Sequence, residues 1–370
     1  MTRVTLLTTS LGFGGADAQI AQCATALRKR GWEMSVVSLV APTAFTAELS
    51  AAGVPVRSLD MRPGRVARQD VFRLIRYLRE LRPQILHSHM FHANLAARAI
   101  RLLCPVPIVI SHLHSVAESS RENPDVRLRD RVYRFTDPLS DLVIAVSREV
   151  AERHLGQRAV RAGKLRVIPN CVDTSRYRPD GELRERTRRA LAIGPRFAWL
   201  AAGRLMWKKD YMSLLRAFPA GDEAVLLLAG EGPDGERLRQ LAAELSVNVQ
   251  FLGVRDDMPA LMNAADGFVH SSLVEGLPLV LLEAAASGLP AVATAAGGAR
   301  ECIAEGETGF VVPCSDGAAL RAGMERLSSL PAAERVRMGE AARRRAHAKF
   351  GVETVIIEWE RTYRELLGWA

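Results

Sequence analysis

The sequence has few of the features that mark membrane, secreted or nucleic-acid-binding proteins. It contains no apolar run long enough to span a bilayer, and its opening, MTRVTLLTTSLGFGG, lacks the flanks and cleavage site of a secretory signal. Aromatic residues make up only 6% of the chain, and the arginines are not interleaved with them as in nucleic-acid-binding modules. We therefore expect a cytoplasmic protein that does not bind nucleic acid.

Cysteine is also scarce, and its spacing does not match the usual cysteine frameworks. The five cysteines are odd in number, scattered along the chain and without the paired spacing of a metal site. We expect reduced thiols that form neither a disulfide nor a structural zinc site. The five are Cys23, Cys104, Cys171, Cys302 and Cys314.

The length and the order of the predicted elements indicate two α/β domains. A chain of 370 residues with 48% hydrophobic residues can form two cores. Short apolar strands alternate with helices from VTLLTT to LRVIPN, and a second series starts at FAWLAAGR, as expected of parallel sheets covered on both faces. Between the two series lies RYRPDGELRERTRRALAIG, which is polar and predicted to be turn-rich. We place the domain junction just before it, at residues 170–173.

The segment SSLVEGLPLVLLEAAASGLPAVATAAGG combines two acidic residues with an apolar helix. We predict Pro278 in the first helical turn and Gly288 as the C-terminal stop. Glu283 lies inside the helix, where a buried carboxylate needs a partner, either a ribose diol or an arginine. Glu275 lies in the preceding loop, where it either binds sugar hydroxyls or interacts favourably with the helix dipole. Together, the two acids favour a nucleotide-sugar site with the helix N-terminus on the diphosphate.

Glycines and basic residues follow two further predicted strands. Gly12, Gly14 and Gly15 come after the first strand and before a helix, where a glycine-rich loop lets the backbone approach an anion. Their spacing is not the dinucleotide fingerprint, and no acidic residue ends the second strand, so a nicotinamide cofactor is disfavoured. Arg204 and Lys209 follow a strand of the second series. They are either surface charges or cations that stabilise a diphosphate leaving group.

Five of the eight histidines fall in one short region, at the ends of two predicted strands of the first series. A zinc site there is weakly supported, because no nearby carboxylate or cysteine completes a familiar ligand set. We interpret these histidines as neutral imidazoles that contact sugar hydroxyls, with a core or capping role as the alternative for His87 and His112. The five are His87, His89, His92, His112 and His114.

The net charge of +9 is due mainly to arginine, and much of it lies in the helix-like segment RQDVFRLIRYLRELRP. Its apolar residues recur at helical spacing, and its arginines fall outside that stripe. The basic face is either an ordinary solvated surface or a contact with anionic lipid headgroups. The stripe consists of Val71, Leu74, Ile75, Leu78 and Leu81, and the arginines are Arg73, Arg76, Arg79 and Arg82.

These segments together resemble the retaining glycosyltransferases of family 4, the "glycosyl transferases group 1", over nearly the whole chain. The resemblance implies the GT-B fold, with two facing, doubly wound Rossmann-like domains, a cleft between them and a C-terminal helix that crosses back to the first domain. We therefore place an acceptor-binding domain at residues 1–173 plus 353–370 and a donor-binding domain at residues 174–352. The segments that carry the resemblance are GFGGADAQ, HSHMFHAN, SHLHS, NCVDTSRYRPD, GRLMWKKD, GEGP and EGLPLVLLEAAASGLPAVAT.

The resemblance also implies roles for individual residues. The catalytic residues would be His114 in the acceptor-side region, Arg204 and Lys209 on the donor diphosphate, and Glu275 on the donor sugar. Glu283 would bind the ribose. The other implied donor-binding residues are Gly15, Val254, Gly276, Leu277, Pro278, Leu279 and Val280, and the acceptor-binding residues are Gly14, Asp17, His89 and His92.

Three positions depart from the family's pattern. Asp17 stands where glutamate is usual and offers a shorter acid. Cys171 and Asp210 stand where glycine is usual, which affects local turn geometry.

The implied activity is transfer of a hexose-type sugar from a nucleoside diphosphate sugar, expected to be a UDP-sugar, to an acceptor hydroxyl with retention of configuration. No carboxylate pair is evident for a double displacement, and the predicted cations make a divalent metal or another cofactor unnecessary. We expect a saccharide or lipid-linked saccharide acceptor, in bacterial surface polysaccharide or glycolipid assembly, and peripheral contact with the inner face of the plasma membrane. The alternatives are a sugar-nucleotide epimerase of the same fold and a non-catalytic nucleotide-sugar-binding module.

Overall fold

The chain consists of two compact units, seen in a computed structural model. The first unit is formed by Met1–Cys171 with Val352–Ala370, and the second by Val172–Gly351. These boundaries lie within two residues of those predicted from the sequence. The chain therefore leaves the first unit once and returns to it for its last helix. The structure describes residues 2–62, 66–116, 126–219 and 221–369.

The first unit contains a parallel sheet whose strands are short and mostly buried, as expected of a sheet covered on both faces. The strands are β1 Arg3–Thr8, β2 Glu33–Ser38, β3 Val56–Ser58, β4 Ile85–His89, β5 Ile108–Leu113, β6 Leu142–Ala145 and β7 Leu165–Val167. Among the described residues, their order across the sheet is β3-β2-β1-β4-β5-β6-β7, and each neighbouring pair is parallel.

The last helix of the chain completes the core of the first unit. Trp359 and Tyr363 on this helix are fully buried in that core. Glu360 accepts hydrogen bonds from Arg30 Nε at 2.6 Å and from Trp32 Nε1 at 2.9 Å, which anchors the helix beside the first one. The helices of this unit are α1 Gly15–Lys29, α2 Thr46–Ala51, α3 Arg68–Leu81, α4 Phe91–Ile100, α5 Val126–Thr136, α6 Arg148–Gly156 and, after the second unit, α15 Val352–Leu366.

The helix α3 has the predicted amphipathic character. Leu74 and Leu78 are buried, whereas Arg76 and Arg79 are exposed. Its first turn is capped by Asp70, whose carboxylate accepts a hydrogen bond from the backbone N–H that precedes the helix. In the part of the chain that the structure describes, no helix combines the length and the apolar character needed to cross a membrane.

The five cysteines are free thiols, four of them buried. Cys23 on α1 and Cys171 form a contact, with 3.9 Å between their sulfur atoms, and the Gln19 amide lies against both. Burial raises the pKa of the Cys23 thiol, as does its contact with Cys171. A buried thiol of this kind is chemically inert, so the pair fills core space beside the domain junction.

The second unit repeats the architecture of the first. Its strands are β8 Phe197–Ala202, β9 Ala224–Ala229, β10 Val249–Gly253, β11 Gly267–His270, β12 Ala291–Thr294 and β13 Gly309–Val312. Within the described residues, the parallel order is β10-β9-β8-β11-β12-β13. Its helices are α7 Gly181–Ala190, α8 Tyr211–Ala217, α9 Gly235–Glu244, α10 Met258–Ala264, α11 Leu279–Ala286, α12 Ala299–Cys302, α13 Gly317–Ser328 and α14 Ala332–Phe350.

The segment predicted to be polar and turn-rich after the junction contains the helix α7. Asp180 caps its start by accepting the N–H of Leu183 at 2.9 Å. Arg184 and Arg188 both form ion pairs with Asp266, at 2.5 and 3.0 Å. The prediction was wrong because this helix has almost no apolar stripe, and it is held to the unit by charged side chains instead.

Both sheets reverse the direction of winding at one point. In the first, β1 lies between β2 and β4, and in the second, β8 lies between β9 and β11. Ligands of doubly wound sheets bind at the carboxyl ends of the strands beside such a reversal. The glycine turn after β1 and the histidine-rich end of β4 meet this condition in the first unit, and the ends of β8 and β11 meet it in the second.

Candidate active site

The helix of the acidic segment starts one residue later than predicted. Its first residue is Leu279, and Pro278 precedes it with backbone angles of φ −69° and ψ 110°, outside the helical region. The predicted helical position of Pro278 is therefore wrong, since a proline ring fixes φ but leaves ψ free. Gly288 ends the helix as predicted, in a left-handed conformation with φ +72°.

Glu275 lies in the loop between β11 and α11 and is held by two side chains at one oxygen. Lys209 Nζ is 2.6 Å from Glu275 Oε1, and His270 Nε2 is 3.3 Å from the same atom. Burial alone would raise the pKa of this carboxyl, but the charge of Lys209 and the contact with His270 outweigh it, so the pKa lies well below its usual range. Glu275 is therefore ionised at neutral pH, and Lys209, predicted on the diphosphate, is its ion-pair partner here.

Backbone contacts fix the loop that carries Lys209 to the loop that carries Glu275. Ser271 Oγ donates to the Lys209 carbonyl at 2.7 Å, and the Leu273 N–H donates to the Lys208 carbonyl at 2.7 Å. At Gly203 (φ +147°), just after β8, an added Cβ would lie 3.2 Å from Lys209 Cε. The carboxyl ends of β8 and β11 thus place the ammonium and the carboxylate side by side.

Glu283 is buried in α11 and has a partner within the protein. Its exposed fraction is 8%, and the Tyr177 hydroxyl donates a hydrogen bond to its carboxylate. Burial raises the pKa of this carboxyl to about 7, although the tyrosine hydroxyl and the charge of Arg176 oppose the shift. Among the described residues Glu283 forms no ion pair with an arginine, although the charge of Arg176 acts on it, and the ribose diol stays a prediction.

Arg204 and the predicted donor-binding residues of the second unit lie around the same edge of its sheet, whereas Gly15 belongs to the first unit. Arg204 is exposed just after β8, and Val254 is 55% exposed just after β10. Residues 276–279 are buried and Val280 is half-buried. The Gly298 N–H donates to the Gly276 carbonyl at 2.6 Å, which holds the loop before α11. The side chains of Arg204 and Val254 are thus accessible from solvent, and a backbone contact of residues 276–280 with a ligand stays a prediction.

In the first unit, Asp17 supports the glycine turn. Gly14 precedes α1 and Gly15 begins it, and both are exposed. Asp17 is 6% exposed, and the backbone N–H groups of Gly12 and Gly14 act to lower the pKa of its carboxyl, although Oδ1 has no hydrogen-bond partner among the described residues. Burial nevertheless raises its pKa to about 6. The Asp17 side chain is buried, whereas the two glycines are exposed, and the acceptor contact of Asp17 stays a prediction.

Four imidazoles of the first unit, here called the imidazole cluster, lie together at the carboxyl ends of β4 and β5. His87 Nδ1 is 2.7 Å from the Tyr363 hydroxyl, and His87 Nε2 is 3.2 Å from His112 Nδ1. His89 Nδ1 is 3.0 Å from His114 Nε2. Burial lowers the pKa of all four, to about 4 in His114. The cluster is therefore uncharged at neutral pH, in agreement with the predicted neutral imidazoles.

The predicted acceptor-side histidines differ in their access to solvent. His87, His89 and His112 are fully buried, whereas His114 is half-buried and His92 on α4 is exposed. The core role that was the alternative for His87 and His112 matches their burial. His89 meets His114 instead of solvent, so it can orient that ring but cannot touch an acceptor in this conformation.

The imidazole cluster also contains a candidate metal site. One nitrogen from each of His87, His89 and His112 lies within 4.8 Å of the other two. However, both ring nitrogens of His87 are already hydrogen-bonded, one to Tyr363 and one to His112. A metal could bind His87 only after one of these bonds is broken, so the arrangement favours a hydrogen-bonded cluster over a metal centre.

Sequence reasoning missed His270 and Tyr177, the residues that contact the two acids. His270 lies five residues before Glu275, at the end of a predicted strand, where its strand-end position was the available signal. Tyr177 lies in the junction segment, more than 100 residues before Glu283, and nothing in the local pattern links the two.

The chain matches two described families in consecutive regions, Glycosyltransferase Family 4 at residues 13–176 and Glycosyl transferases group 1 at residues 184–345. A GDP-mannose-dependent alpha-(1-6)-phosphatidylinositol monomannoside mannosyltransferase of Mycobacterium tuberculosis is 37% identical over 166 residues, which are 41% of this chain and 43% of that protein. A D-inositol 3-phosphate glycosyltransferase of Corynebacterium jeikeium is 30% identical over 306 residues, 76% of this chain and 72% of that protein. Anabaena HepE, solved in complex with UDP and glucose, has a TM-score of 0.87 at 23% identity and covers 98% of this chain and 100% of its own.

The two Rossmann-like units and the likeness to HepE define the GT-B fold, as predicted. The chain belongs to glycosyltransferase family 4, the glycosyl transferases group 1. This confirms the family expected from the sequence. The chain spans less than half the length of the M. tuberculosis relative and 72% of the C. jeikeium one.

Proposed function

We propose that the protein is a retaining glycosyltransferase that moves a hexose-type sugar from a UDP-sugar to a hydroxyl group of its acceptor. The observation that carries this proposal is the ion pair between Lys209 and Glu275 at the winding reversal of the second sheet. It places a cation and a carboxylate side by side at the edge where doubly wound sheets bind ligands. The cation suits a diphosphate, and the carboxylate suits the hydroxyls of the sugar attached to it.

In the proposed reaction, the bond between the anomeric carbon and the diphosphate oxygen breaks, and the acceptor oxygen bonds to the same face of that carbon. The acceptor proton passes to an oxygen of the departing phosphate, so no protein carboxylate has to act as the nucleophile. Lys209 and Arg204 would stabilise the negative charge that grows on the leaving group, and no divalent metal is then needed. Glu275, kept ionised by Lys209, would accept hydrogen bonds from the sugar hydroxyls.

Glu283 supports a nucleotide in the same unit. It is a buried carboxylate whose partner, the Tyr177 hydroxyl, is a single neutral donor. A ribose diol offers two hydroxyl donors, and a second donor would stabilise the ionised carboxylate further. We propose that the ribose hydroxyls bind Glu283 and that the base lies near the exposed Val254.

HepE supports a UDP-sugar donor and the M. tuberculosis relative a lipid-linked acceptor, although the name of that relative specifies a GDP-sugar donor. HepE was solved with UDP and glucose, and the M. tuberculosis relative is named for GDP-mannose and a phosphatidylinositol mannoside. We propose a saccharide or lipid-linked saccharide acceptor near His114 and His92, in surface polysaccharide or glycolipid assembly. The exposed arginines of α3 and the 70% exposed Phe72 would keep the enzyme in peripheral contact with an anionic membrane on its cytoplasmic side.

A nucleotide-release assay tests this function. The protein is incubated with uridine, guanosine and adenosine diphosphate sugars, each with and without saccharide and lipid-linked acceptors. We expect release of UDP that depends on the acceptor and persists in a chelator. Isomerised donor in the absence of acceptor would indicate the epimerase, and tight nucleotide binding without release across the panel would indicate a binding module. Activity that disappears in chelator and returns with magnesium or manganese would overturn the metal-independent mechanism.

A further inference from the structure

His270 is a buried polar residue that lies beside the ion pair of Lys209 and Glu275. It is the last residue of β11, it is 3% exposed, and its Nε2 lies 3.3 Å from Glu275 Oε1. Lys209 Nζ lies 2.6 Å from that same oxygen. The ammonium of Lys209 and the imidazole of His270 therefore both face Oε1 of Glu275.

His270 is uncharged and can act as a neutral hydrogen-bond donor. Burial lowers its pKa, and the charge of Lys209 lowers it further, while the contact with Glu275 opposes both. The imidazole is therefore neutral at neutral pH, and it can donate to Glu275 only as the tautomer with hydrogen on Nε2. Among the described residues, Nε2 is buried without a well-aligned hydrogen bond, and Glu275 Oε1 lies 3.3 Å from it. Such contacts in ligand-free sites often tighten when the ligand binds.

We propose that His270 is a positioning residue that holds Glu275 in place when Lys209 turns to the donor diphosphate. The inference rests on the proposed function. A diphosphate carries more charge than one carboxylate and would draw the ammonium of Lys209 away from Oε1. Glu275 would then lose the partner that orients it, unless a second donor remains. His270 is that donor, and it keeps Oε2 directed at the sugar hydroxyls.

The backbone of His270 is fixed well enough for this role. β11 lies between β8 and β12 in the sheet, and His270 pairs with Ala293. The Thr294 hydroxyl lies 2.6 Å from the Ser272 carbonyl and 3.2 Å from the His270 carbonyl, so it spans the end of this strand. Ser271, the next residue, donates to the Lys209 carbonyl, so neighbouring residues hold both partners of Glu275. A site built on a strand end is positioned more accurately than one on a free loop.

The test separates nucleotide binding from sugar binding. The variants are His270→Phe, which keeps a ring without a donor, and His270→Gln, which keeps a donor. We measure the dissociation constants of UDP, UDP-glucose, GDP and GDP-mannose by calorimetry, and the turnover with the best donor from the nucleotide-release assay. His154→Gln is the matched control, since His154 is a buried histidine of the first unit, 4% exposed, outside the site.

We expect His270→Phe to leave the affinity for the nucleoside diphosphate within about twofold and to lower turnover about 10- to 100-fold, the range for a hydrogen bond to a charged group. His270→Gln should recover most of this loss, and His154→Gln should not reproduce it. Full turnover in His270→Phe overturns the proposal. Equal losses in the phenylalanine and glutamine variants, with unchanged melting temperatures, also overturn it, because the donor would then not matter.

Two further measurements distinguish a failure of the His270 proposal from a failure of the proposed function. If the wild-type protein transfers no sugar, the proposed function fails, but the gain in affinity from UDP to UDP-glucose, or from GDP to GDP-mannose, still reports on Glu275. We expect His270→Phe to abolish that gain. In addition, nitrogen-15 NMR of the wild-type protein should show the His270 tautomer protonated at Nε2, and a tautomer protonated at Nδ1 overturns the proposal whatever the activity.

Discussion

Lys209 and Glu275 form an ion pair with 2.6 Å between Nζ and Oε1, although 66 residues separate them in the sequence. Both side chains are mostly shielded from solvent, with exposed fractions of 20% and 14%. Removing either partner would leave the other charge poorly compensated in a shielded site. A substitution of either residue would therefore affect both the stability of the site and the proposed reaction.

Lys209→Ala should lower kcat by about 100-fold or more and change KM little, because Lys209 would act on charge that develops in the transition state. Steady-state kinetics with the best donor measures this. Lys208→Ala is the control, as it removes the neighbouring lysine side chain and leaves Lys209 in place. An unchanged kcat in Lys209→Ala would remove this residue from the proposed mechanism.

Nucleotide affinity should rise with pH through about 7. The Glu283 carboxyl has a pKa of about 7 in the ligand-free protein, and ribose hydroxyls would donate to the ionised form. Below that pKa, the proton must be lost on binding, so affinity should fall up to about tenfold per pH unit. Calorimetry with UDP between pH 5.5 and 8.5 measures the profile.

Two variants test whether Glu283 is the group that titrates in the profile of affinity against pH. Glu283→Gln should bind UDP more weakly and with no such pH dependence. Tyr177→Phe removes the hydroxyl that lowers the pKa of Glu283, so the midpoint of its profile should move to higher pH. A wild-type profile in Glu283→Gln would show that another group titrates.

The first unit should lose stability as the pH falls below about 6.5. Its imidazole cluster and His154 have lowered pKa values in the folded state, so below 6.5 the unfolded chain binds protons that the folded chain does not. The stability they contribute is complete above pH 6.5 and is lost as the pH falls towards about 4. Asp17 opposes this trend, because its raised pKa lets the folded state hold a proton, but it is one group against five.

Urea unfolding at several pH values measures this loss. Each such histidine should contribute a slope of about 1.4 kcal/mol per pH unit, so His154→Gln should reduce the total slope by about that amount. A free energy of unfolding that stays constant or rises between pH 6.5 and 4.5 would contradict the burial of these imidazoles as neutral groups.

Membrane contact through α3 should depend on particular arginines and not on net charge alone. Arg76→Ser with Arg79→Ser should reduce sedimentation with phosphatidylglycerol vesicles at low salt, because basic residues near an anionic surface contribute about 1 kcal/mol each. The control is Arg337→Ser with Arg344→Ser, which removes the same charge from exposed positions on α14. Equal losses in both pairs, or no sedimentation of the wild-type protein, would contradict the proposed contact.

The apolar elements could be predicted from the sequence, but α7 could not. Most strands of the two sheets are short apolar runs, and the period of α3 places Leu74 and Leu78 inside, so local pattern was sufficient there. The exception is β3, a three-residue half-buried strand that the sequence did not predict. In contrast, α7 depends on ion pairs of Arg184 and Arg188 with Asp266, a residue about 80 positions away. No local pattern carries that information.

In the candidate site too, local sequence pattern identified some residues but not the contacts between them. Glu275 and Glu283 stand out because they interrupt an apolar segment, and Lys209 because it follows a strand. Their partners are set by topology: His270 reaches Glu275 across a loop, and Tyr177 reaches Glu283 from the domain junction. The ion pair of Lys209 with Glu275 was likewise not predicted, since each was assigned a ligand instead of the other.

The return of α15 to the first unit sets the order in which the protein can form during synthesis. Residues 172–351 are translated before α15, and their own sheet is complete without it, so the second unit can fold on the ribosome first. The first unit has to wait, because Trp359 and Tyr363 complete its core and Tyr363 binds His87 of the imidazole cluster. A nascent chain that stalls before α15 would expose that core to chaperones and proteases while the second unit is already folded.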